Sequence, residues 1–198
     1  MYFAVFALLC TMVFLLSPGC ADGGSRQAER QPSRSEPKKT YALMETSEGT
    51  MKIELFTTDA PKTCENFVKL ARKGFYDGLT FHRIVKGFVI QGGCPNGDGT
   101  GGPGWTIPLE KSGRKHLEGS VAMARTRDPD SAGSQFYICC APQPRLDGNY
   151  CVFGRVVEGL DVVHKIENIE VEKVVQGGVD MSRPARPVLI KRVRIVEE

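Results

Sequence analysis

The chain has 198 residues, of which 41% are hydrophobic and 25% are charged, and its formal net charge is +3 at pH 7. This length accommodates one domain with a substantial core. The charge lacks the large basic excess of a nucleic-acid-binding protein, so we expect no nucleic-acid partner.

The first twenty residues have the features of an export signal. Residues 2–16 form an uncharged, almost wholly apolar run, and Ser17, Pro18, Gly19 and Cys20 follow it. The run is short for a membrane-spanning helix, which favours a secretory signal over an anchor. Gly19-Cys20 resembles the cleavage and acylation site of bacterial lipoproteins, in which the cysteine carries the lipid. We predict lipidation at Cys20 and a location in the periplasm or cell envelope, with the membrane contacted only through this anchor; cleavage without acylation is the alternative.

Residues 21–39 are rich in Gly, Ser, Gln, Pro and charged residues and contain no hydrophobic residue larger than alanine. Such a segment cannot bury enough surface to fold, which predicts a disordered tether. The tether carries +2 of the net charge, so residues 40–198 keep only +1. We therefore predict one nearly neutral folded domain over residues 40–198.

The folded part begins with a pattern of short strands and one helix. Residues 41–45 and 50–56 alternate apolar with polar side chains, which predicts an antiparallel hairpin. Asp59 then offers an N-cap for an amphipathic helix that ends near Gly74. A single helix is therefore expected to cover one side of the early strands.

Residues 81–93 place an arginine and a glutamine in an apolar, strand-forming run. Two short strands are predicted, at 81–85 and 88–91. Strand alternation puts Arg83 on one face with Phe81 and Val85, and puts Val89 on one face with Gln91. Two interpretations of Arg83 stay open on this stretch alone: a solvated surface cation, or the cation of a small site beside apolar surface.

The remaining elements complete a β-rich pattern. Glycine occupies seven of the thirteen positions from 92 to 104, which predicts an irregular loop; no Gly-Lys-Ser/Thr follows, so this is not a phosphate loop. Strands are predicted at 134–140 and 150–157, a turn at 146–149, a helix at 161–169, and a closing strand at 187–196 with a bulge near Arg192. Many short strands with two helices favour a closed antiparallel barrel capped at its ends.

Cysteines and histidines give no sign of a metal centre. Residues 40–198 contain five cysteines, namely Cys64, Cys94, Cys139, Cys140 and Cys151. An odd number leaves at least one thiol free, one disulfide is possible after export, and no spacing is typical of zinc. The histidines at 82, 116 and 164 are scattered, so we expect them to be structural or surface residues and expect no metal or cofactor.

Five motifs together identify a family. They lie at residues 81–93, 99–102, 121–125, 133–138 and 146–154, and in this order they resemble the cyclophilin family of peptidyl-prolyl isomerases across residues 41–196. The resemblance implies a mainly β fold, a closed eight-stranded antiparallel barrel capped by two α-helices, with its site on the outer face and no cofactor.

The resemblance also implies the site residues. The family's catalytic arginine falls on Arg83. Its substrate-binding residues fall on Phe88, Val89, Gln91, Thr100, Gly101, Ala124, Arg125, Gln135, Tyr137, Leu146 and Tyr150. Alternation supports part of this set, because Gln135 and Tyr137 share a face while Phe136 and Ile138 face the interior. Phe88 is out of phase with Val89, so it needs an irregular turn at residues 86–87 or a bulge to reach the groove.

The implied activity is rotation of X-Pro bonds in proline-containing, unfolded or extended polypeptides, and we expect a monomer that assists folding of exported proteins. The alternative is a proline-directed peptide-binding or chaperone module with incidental turnover, because Arg125 and Arg145 make the groove polar. Arg145 also stands where the family commonly has tryptophan or phenylalanine, which implies weak inhibition by cyclosporin.

Overall fold

A computed structural model describes residues 38–176 and 178–198. The predicted export signal, Cys20 and the tether up to residue 37 lie outside the described residues. Within the described ranges, no helix is long and apolar enough to cross a membrane.

Within residues 38–176 and 178–198 the fold is built from twelve strands and two α-helices. The strands are β1 Thr40–Thr46, β2 Thr50–Leu55, β3 Phe81–Val85, β4 Val89–Gly92, β5 Ser120–Met123, β6 Phe136–Cys139, β7 Val152–Glu158, β8 Val171–Glu172, β9 Val175–Gln176, β10 Val179–Asp180, β11 Arg183–Pro184 and β12 Ile190–Glu197. The helices are α1 Pro61–Arg72 and α2 Leu160–Glu167, and a 3₁₀ turn spans Pro144–Leu146. The mainly β class with two helices is confirmed.

Eight of these strands form one antiparallel sheet, in the order β12-β1-β2-β7-β5-β6-β4-β3. Its two edge strands meet only near their first residues, where Phe81 N donates to Val188 O at 2.9 Å and Ile190 N donates to Leu79 O at 2.7 Å. Further along β3, Ile84 N donates instead to Ser182 O at 2.9 Å. The sheet is thus an open half-barrel rather than the predicted closed barrel, because residue 182 takes the edge of β3 that closure would need.

A β-bulge in β3 separates Arg83 from Phe81, which the alternation had placed on the same face. Phe81 pairs with Gly92 and Arg83 pairs with Gln91, so His82 is an extra residue between them. The bulge reverses the alternation, and Phe81 packs into the interior core. Arg83 therefore shares the outer face with Val85 but not with Phe81.

The bulge predicted in the closing strand is present. Glu45 pairs with Arg192 while Thr46 pairs with Ile190, so Lys191 is the extra residue. This bulge disturbs the apolar alternation of β12.

Helix α1 begins differently from the prediction. Its N-cap residue is Ala60, which makes no side-chain cap, and the Asp59 carboxylate instead accepts from Arg114 Nε at 2.7 Å. Glu110 takes the capping position from a distant loop, accepting from Lys62 N at 3.2 Å and Thr63 N at 2.9 Å. The Asp59 cap was therefore wrong, because a carboxylate from elsewhere in the chain satisfies the helix N–H groups.

Aromatic and aliphatic side chains fill the concave side of the sheet. Phe136 and Ile138 are fully buried there as predicted, and the ring of Phe136 meets those of Phe67, Tyr76 and Phe81 at centroid distances of 5.8, 5.7 and 6.0 Å. Large side chains therefore fill the interior of the half-barrel.

All five described cysteines are free and buried. Burial raises the pKa of the Cys64 and Cys139 thiols to about 12. These thiols stay protonated at neutral pH and behave as small apolar side chains.

Candidate active site

A cavity of about 920 Å³ lies on the outer face of the sheet. It is bordered by β3, β4 and β6, by the glycine-rich loop, by the segment that follows β5 and by the segment between β6 and β7. All twelve predicted site residues line it: Arg83, Phe88, Val89, Gln91, Thr100, Gly101, Ala124, Arg125, Gln135, Tyr137, Leu146 and Tyr150. The structure therefore brings together residues that lie up to 67 positions apart in the sequence.

Arg83 is held at the edge of this cavity by two hydrogen bonds. Its Nη1 donates to Gln91 Oε1 at 3.0 Å, and its Nε donates to the backbone oxygen of Asp180 at 2.5 Å. Its guanidinium carbon lies 5.6 Å from the ring centroid of Phe88. Burial lowers the pKa of Arg83, but arginine starts so far above neutrality that the charge persists. The result is a fixed, partly desolvated cation.

Two glutamines connect Arg83 to the glycine-rich loop. Gln91 Nε2 donates to Gln135 Oε1 at 3.1 Å, and Gln135 Nε2 donates to the backbone oxygens of Gly99 and Gly101 at 2.8 Å each. Both polar atoms of the Gln91 side chain, Oε1 and Nε2, are thus hydrogen-bonded within the protein. The amides fix the position of Arg83 relative to the loop.

The glycine-rich loop needs its glycines for close packing. Gly99 has a φ of +89° and lies beside the buried ring of His82, whose Nε2 would be 3.7 Å from an added Cβ. At Gly101, an added Cβ would lie 2.8 Å from Pro95 Cγ. Thr100 between them is exposed, and its hydroxyl donates to Asp98 Oδ1 at 2.6 Å. The loop forms one wall of the cavity.

Apolar side chains form a cup beside Arg83. Val89 and Tyr137 are buried there and are packed against Phe88, Ala124, Leu146 and Tyr150, separately from the interior core. Phe88 reaches the cup through the expected irregular turn, in which Gly87 has a φ of +69° and Phe88 N donates to Val85 O at 3.0 Å. We call these six residues the apolar cup.

Two further arginines brace the rim of the cup. Arg125 donates from Nε and Nη2 to the backbone oxygen of Asn149 at 2.9 and 2.7 Å, and its guanidinium lies 4.8 Å from the ring centroid of Tyr150. Arg145 lies 4.7 Å from the ring centroid of Phe88. Both cations therefore cover aromatic faces of the cup.

The sequence interpretation missed the hairpin of β9 and β10. Val179 and Met181 line the cavity, and Asp180 supplies the oxygen that binds Arg83. The signal was the pair Gly177-Gly178 between two valine-containing segments, a pattern typical of a two-residue hairpin turn. Among the residues that the structure describes, no group of three His, Cys, Asp or Glu side chains could hold a metal ion.

Comparison with known proteins identifies one family for this chain. The profile of the family described as cyclophilin type peptidyl-prolyl cis-trans isomerase/CLD matches residues 41–195. A peptidyl-prolyl cis-trans isomerase of Synechococcus elongatus is 51% identical over 131 residues, which cover 65% of this chain and 90% of the relative. Peptidyl-prolyl cis-trans isomerase B of Bacillus subtilis is 48% identical over 141 residues, which cover 70% of this chain and 97% of the relative.

A solved structure gives the same result. The cyclophilin type peptidyl-prolyl cis-trans isomerase of Cryptosporidium parvum, crystallised in the presence of the dipeptide Ala-Pro, matches with a TM-score of 0.73 and 33% identity, covering 80% of this chain and 99% of that one. The open antiparallel half-barrel is the cyclophilin fold. The chain belongs to the cyclophilin family and is a peptidyl-prolyl cis-trans isomerase.

Proposed function

We propose that Arg83 is the catalytic residue, that the apolar cup receives the proline ring, and that the enzyme assists folding of exported proteins. The observation that carries the assignment is the guanidinium of Arg83, fixed by Gln91 and by the backbone of Asp180 at the edge of the cup.

The reaction requires rotation about a partly double C–N bond, with a barrier of about 18–20 kcal/mol. In the twisted transition state the amide resonance is lost, and the nitrogen becomes pyramidal and regains a lone pair. A guanidinium beside that nitrogen stabilises the twisted form more than the planar one, which is the condition for acceleration. Arg83 suits this task because its charge is permanent and because its donors remain numerous after two have bound Gln91 and Asp180.

The surrounding groups would orient the substrate and exclude water. The apolar cup desolvates the proline ring, which strengthens the interaction of the amide nitrogen with Arg83. Thr100 and Gly101 would border the residue before proline, and the backbone at Arg125 would hold the peptide. The Cryptosporidium parvum relative was crystallised in the presence of Ala-Pro, which supports a proline-containing ligand here. Gln91 and Gln135 hold Arg83 and the loop in place, and their amides would also hold the peptide.

Proline-limited refolding separates catalysis from chaperone action. We expect wild type to accelerate the slow phase, Arg83→Ala to lose most of the acceleration, and Arg155→Ala, an exposed arginine on β7 outside the groove, to behave like wild type. Equal acceleration by Arg83→Ala and wild type would refute the role of Arg83. If suppression of client aggregation survives Arg83→Ala while refolding catalysis is lost, the chain has a peptide-holding activity as well.

Export and lipid anchoring are proposed from residues 1–39. The apolar run ends at Gly19-Cys20, and the predicted tether of residues 21–39 follows it. Such a tether would hold a monomeric isomerase near the membrane, where exported chains emerge. Intact mass of the membrane-extracted protein should show a chain that begins at Cys20 with added lipid, and Cys20→Ala should release the protein from the membrane. An unmodified mass, or no change on Cys20→Ala, would exclude the anchor.

A further inference from the structure

Three polar residues, two of them buried, form a hydrogen-bonded chain beneath the groove. Tyr137 Oη lies 3.0 Å from His116 Nε2, and His116 Nδ1 lies 2.9 Å from Asp147 Oδ1. The backbone N–H of His116 also donates to Asp147 Oδ1 at 2.9 Å. The side chain of His116 is fully buried. We call this arrangement the Asp147–His116–Tyr137 chain.

The chemistry of the three groups fixes the direction of the hydrogen bonds. An ionised carboxylate only accepts, so His116 Nδ1 carries a proton and donates to Asp147. The hydroxyl of Tyr137 stays protonated because burial raises the pKa of Tyr137, and it donates to His116 Nε2 when that nitrogen carries no proton. Hydrogen bonds from His116 lower the pKa of Asp147 to about 2. Every polar atom of the chain thus has a partner at neutral pH.

The chain connects two walls of the apolar cup. Tyr137 lies on β6 at the floor, where its ring stacks on His116 with an interplanar angle of 15° and meets Tyr150 edge-on at 5.8 Å. Asp147 lies between Leu146 and Tyr150, which form the opposite wall. The sequence predicts a structural or surface role for His116. In the structure its side chain is fully buried and contacts Tyr137 beneath the groove.

We propose that His116 is a positioning residue for the isomerase reaction, holding the Tyr137 hydroxyl away from the proline ring and fixing the wall of Leu146 and Tyr150 against the floor. A buried hydroxyl that loses its partner is destabilised, and the Tyr137 side chain would have to shift to find another one. The cup would then admit solvent and lose its shape. This inference rests on the proposed role of the cup as the proline site.

A double-mutant cycle tests this coupling. His116→Leu should lower kcat/KM about tenfold in the wild-type background, mainly through a higher KM because Arg83 is untouched. In the Tyr137→Phe background the same change should cost less than about twofold, since no hydroxyl is left to hold. His116→Gln, which retains a donor and an acceptor, should restore most of the loss. His164→Leu on α2, outside the groove, is the matched control and should leave kcat/KM unchanged.

The result that overturns the proposal is an equal cost of His116→Leu in both backgrounds, or no cost in either, because a packing role would not depend on the hydroxyl. If His116→Leu does not fold in a thermal melt, Asp147→Asn takes its place in the cycle, with a cost again expected only when Tyr137 is present. The cycle is also measured as the dissociation constant of an Ala-Pro-containing peptide. This dissociation constant depends on the apolar cup and not on the catalytic role of Arg83. It therefore tests the positioning role of His116 even if Arg83→Ala proves fully active.

Discussion

The stability of the domain should depend on pH through one buried histidine, His82. Its ring nitrogens, Nδ1 and Nε2, have no hydrogen-bond partner among the described residues. Burial, aided by the positive charge of Arg83, lowers the pKa of His82 to about 4. An unfolded histidine has a pKa of about 6.5, so the folded and unfolded chains bind different numbers of protons between these values.

The direction and size of the effect follow from linkage. Between pH 6.5 and 4 the unfolded chain takes up a proton at His82 and the folded chain does not, so the free energy of unfolding falls as pH falls through this window. The two pKa values differ by about 2.5, and a difference of one corresponds to about 1.36 kcal/mol. The contribution of His82 to the free energy of unfolding is therefore about 3 kcal/mol. Below pH 4 both states are protonated and this contribution stops changing.

Urea unfolding of wild type and His82→Phe at several pH values from 7 to 4 measures the effect. The planar phenyl ring does not titrate, and the other titrating groups contribute equally to both proteins. We expect wild type to lose about 3 kcal/mol relative to His82→Phe between pH 7 and 4. His164 is a control because its effect on stability has the opposite pH dependence. Its hydrogen bond to Glu167 raises its pKa, so its contribution to the free energy of unfolding is lost as pH rises. Parallel pH profiles for wild type and His82→Phe would refute the reasoning.

Three further substitutions test the N-terminal cap of α1, the support of Arg83 and the rim of the groove. Glu110→Ala should lower the free energy of unfolding by about 1 kcal/mol, because it leaves the first N–H groups of α1 without their carboxylate; urea unfolding measures this, with exposed Glu65→Ala as the control. Gln91→Leu should lower kcat/KM about tenfold, because Arg83 loses the acceptor that fixes it. Arg145→Trp should strengthen cyclosporin inhibition about tenfold in a titrated isomerase assay, because an indole replaces a cation beside Phe88.

Each of these has a contrary outcome. Equal losses in Glu110→Ala and Glu65→Ala would mean that the long-range cap contributes nothing. Unchanged kcat/KM in Gln91→Leu would mean that the backbone of Asp180 alone positions Arg83. Nanomolar inhibition of the wild type by cyclosporin would contradict the weakness expected from Arg145.

The outer face of the sheet was predictable because it depends on local alternation and on motifs. Val89 and Gln91 share a face, as do Gln135 and Tyr137, and all of them line the cavity. Strand geometry gives such groupings directly from a period of two. Phe81 broke the pattern, because a bulge at His82 inserts one residue that alternation cannot anticipate.

Contacts between distant segments were not predictable from local pattern. The oxygen that binds Arg83 belongs to Asp180, 97 residues further along the chain. The carboxylate that caps α1 belongs to Glu110, not to the adjacent Asp59. Closure of the barrel likewise depended on which segment takes the edge of β3, and a hydrogen bond from Ile84 to Ser182 decided it. Such choices among equivalent partners are set by tertiary packing.

The most direct measurement compares binding with catalysis in the same variant. The affinity of a short Ala-Pro-containing peptide and its cis–trans exchange rate can both be obtained by NMR for wild type, Arg83→Ala and Arg83→Lys. If Arg83 stabilises the twisted amide more than the planar one, Arg83→Ala should slow catalysed exchange by about 100-fold or more while the dissociation constant changes by less than about threefold. Arg83→Lys should recover only part of the rate, because an ammonium lacks the planar fork. Parallel losses of affinity and rate, or an undiminished rate in Arg83→Ala, would contradict the account.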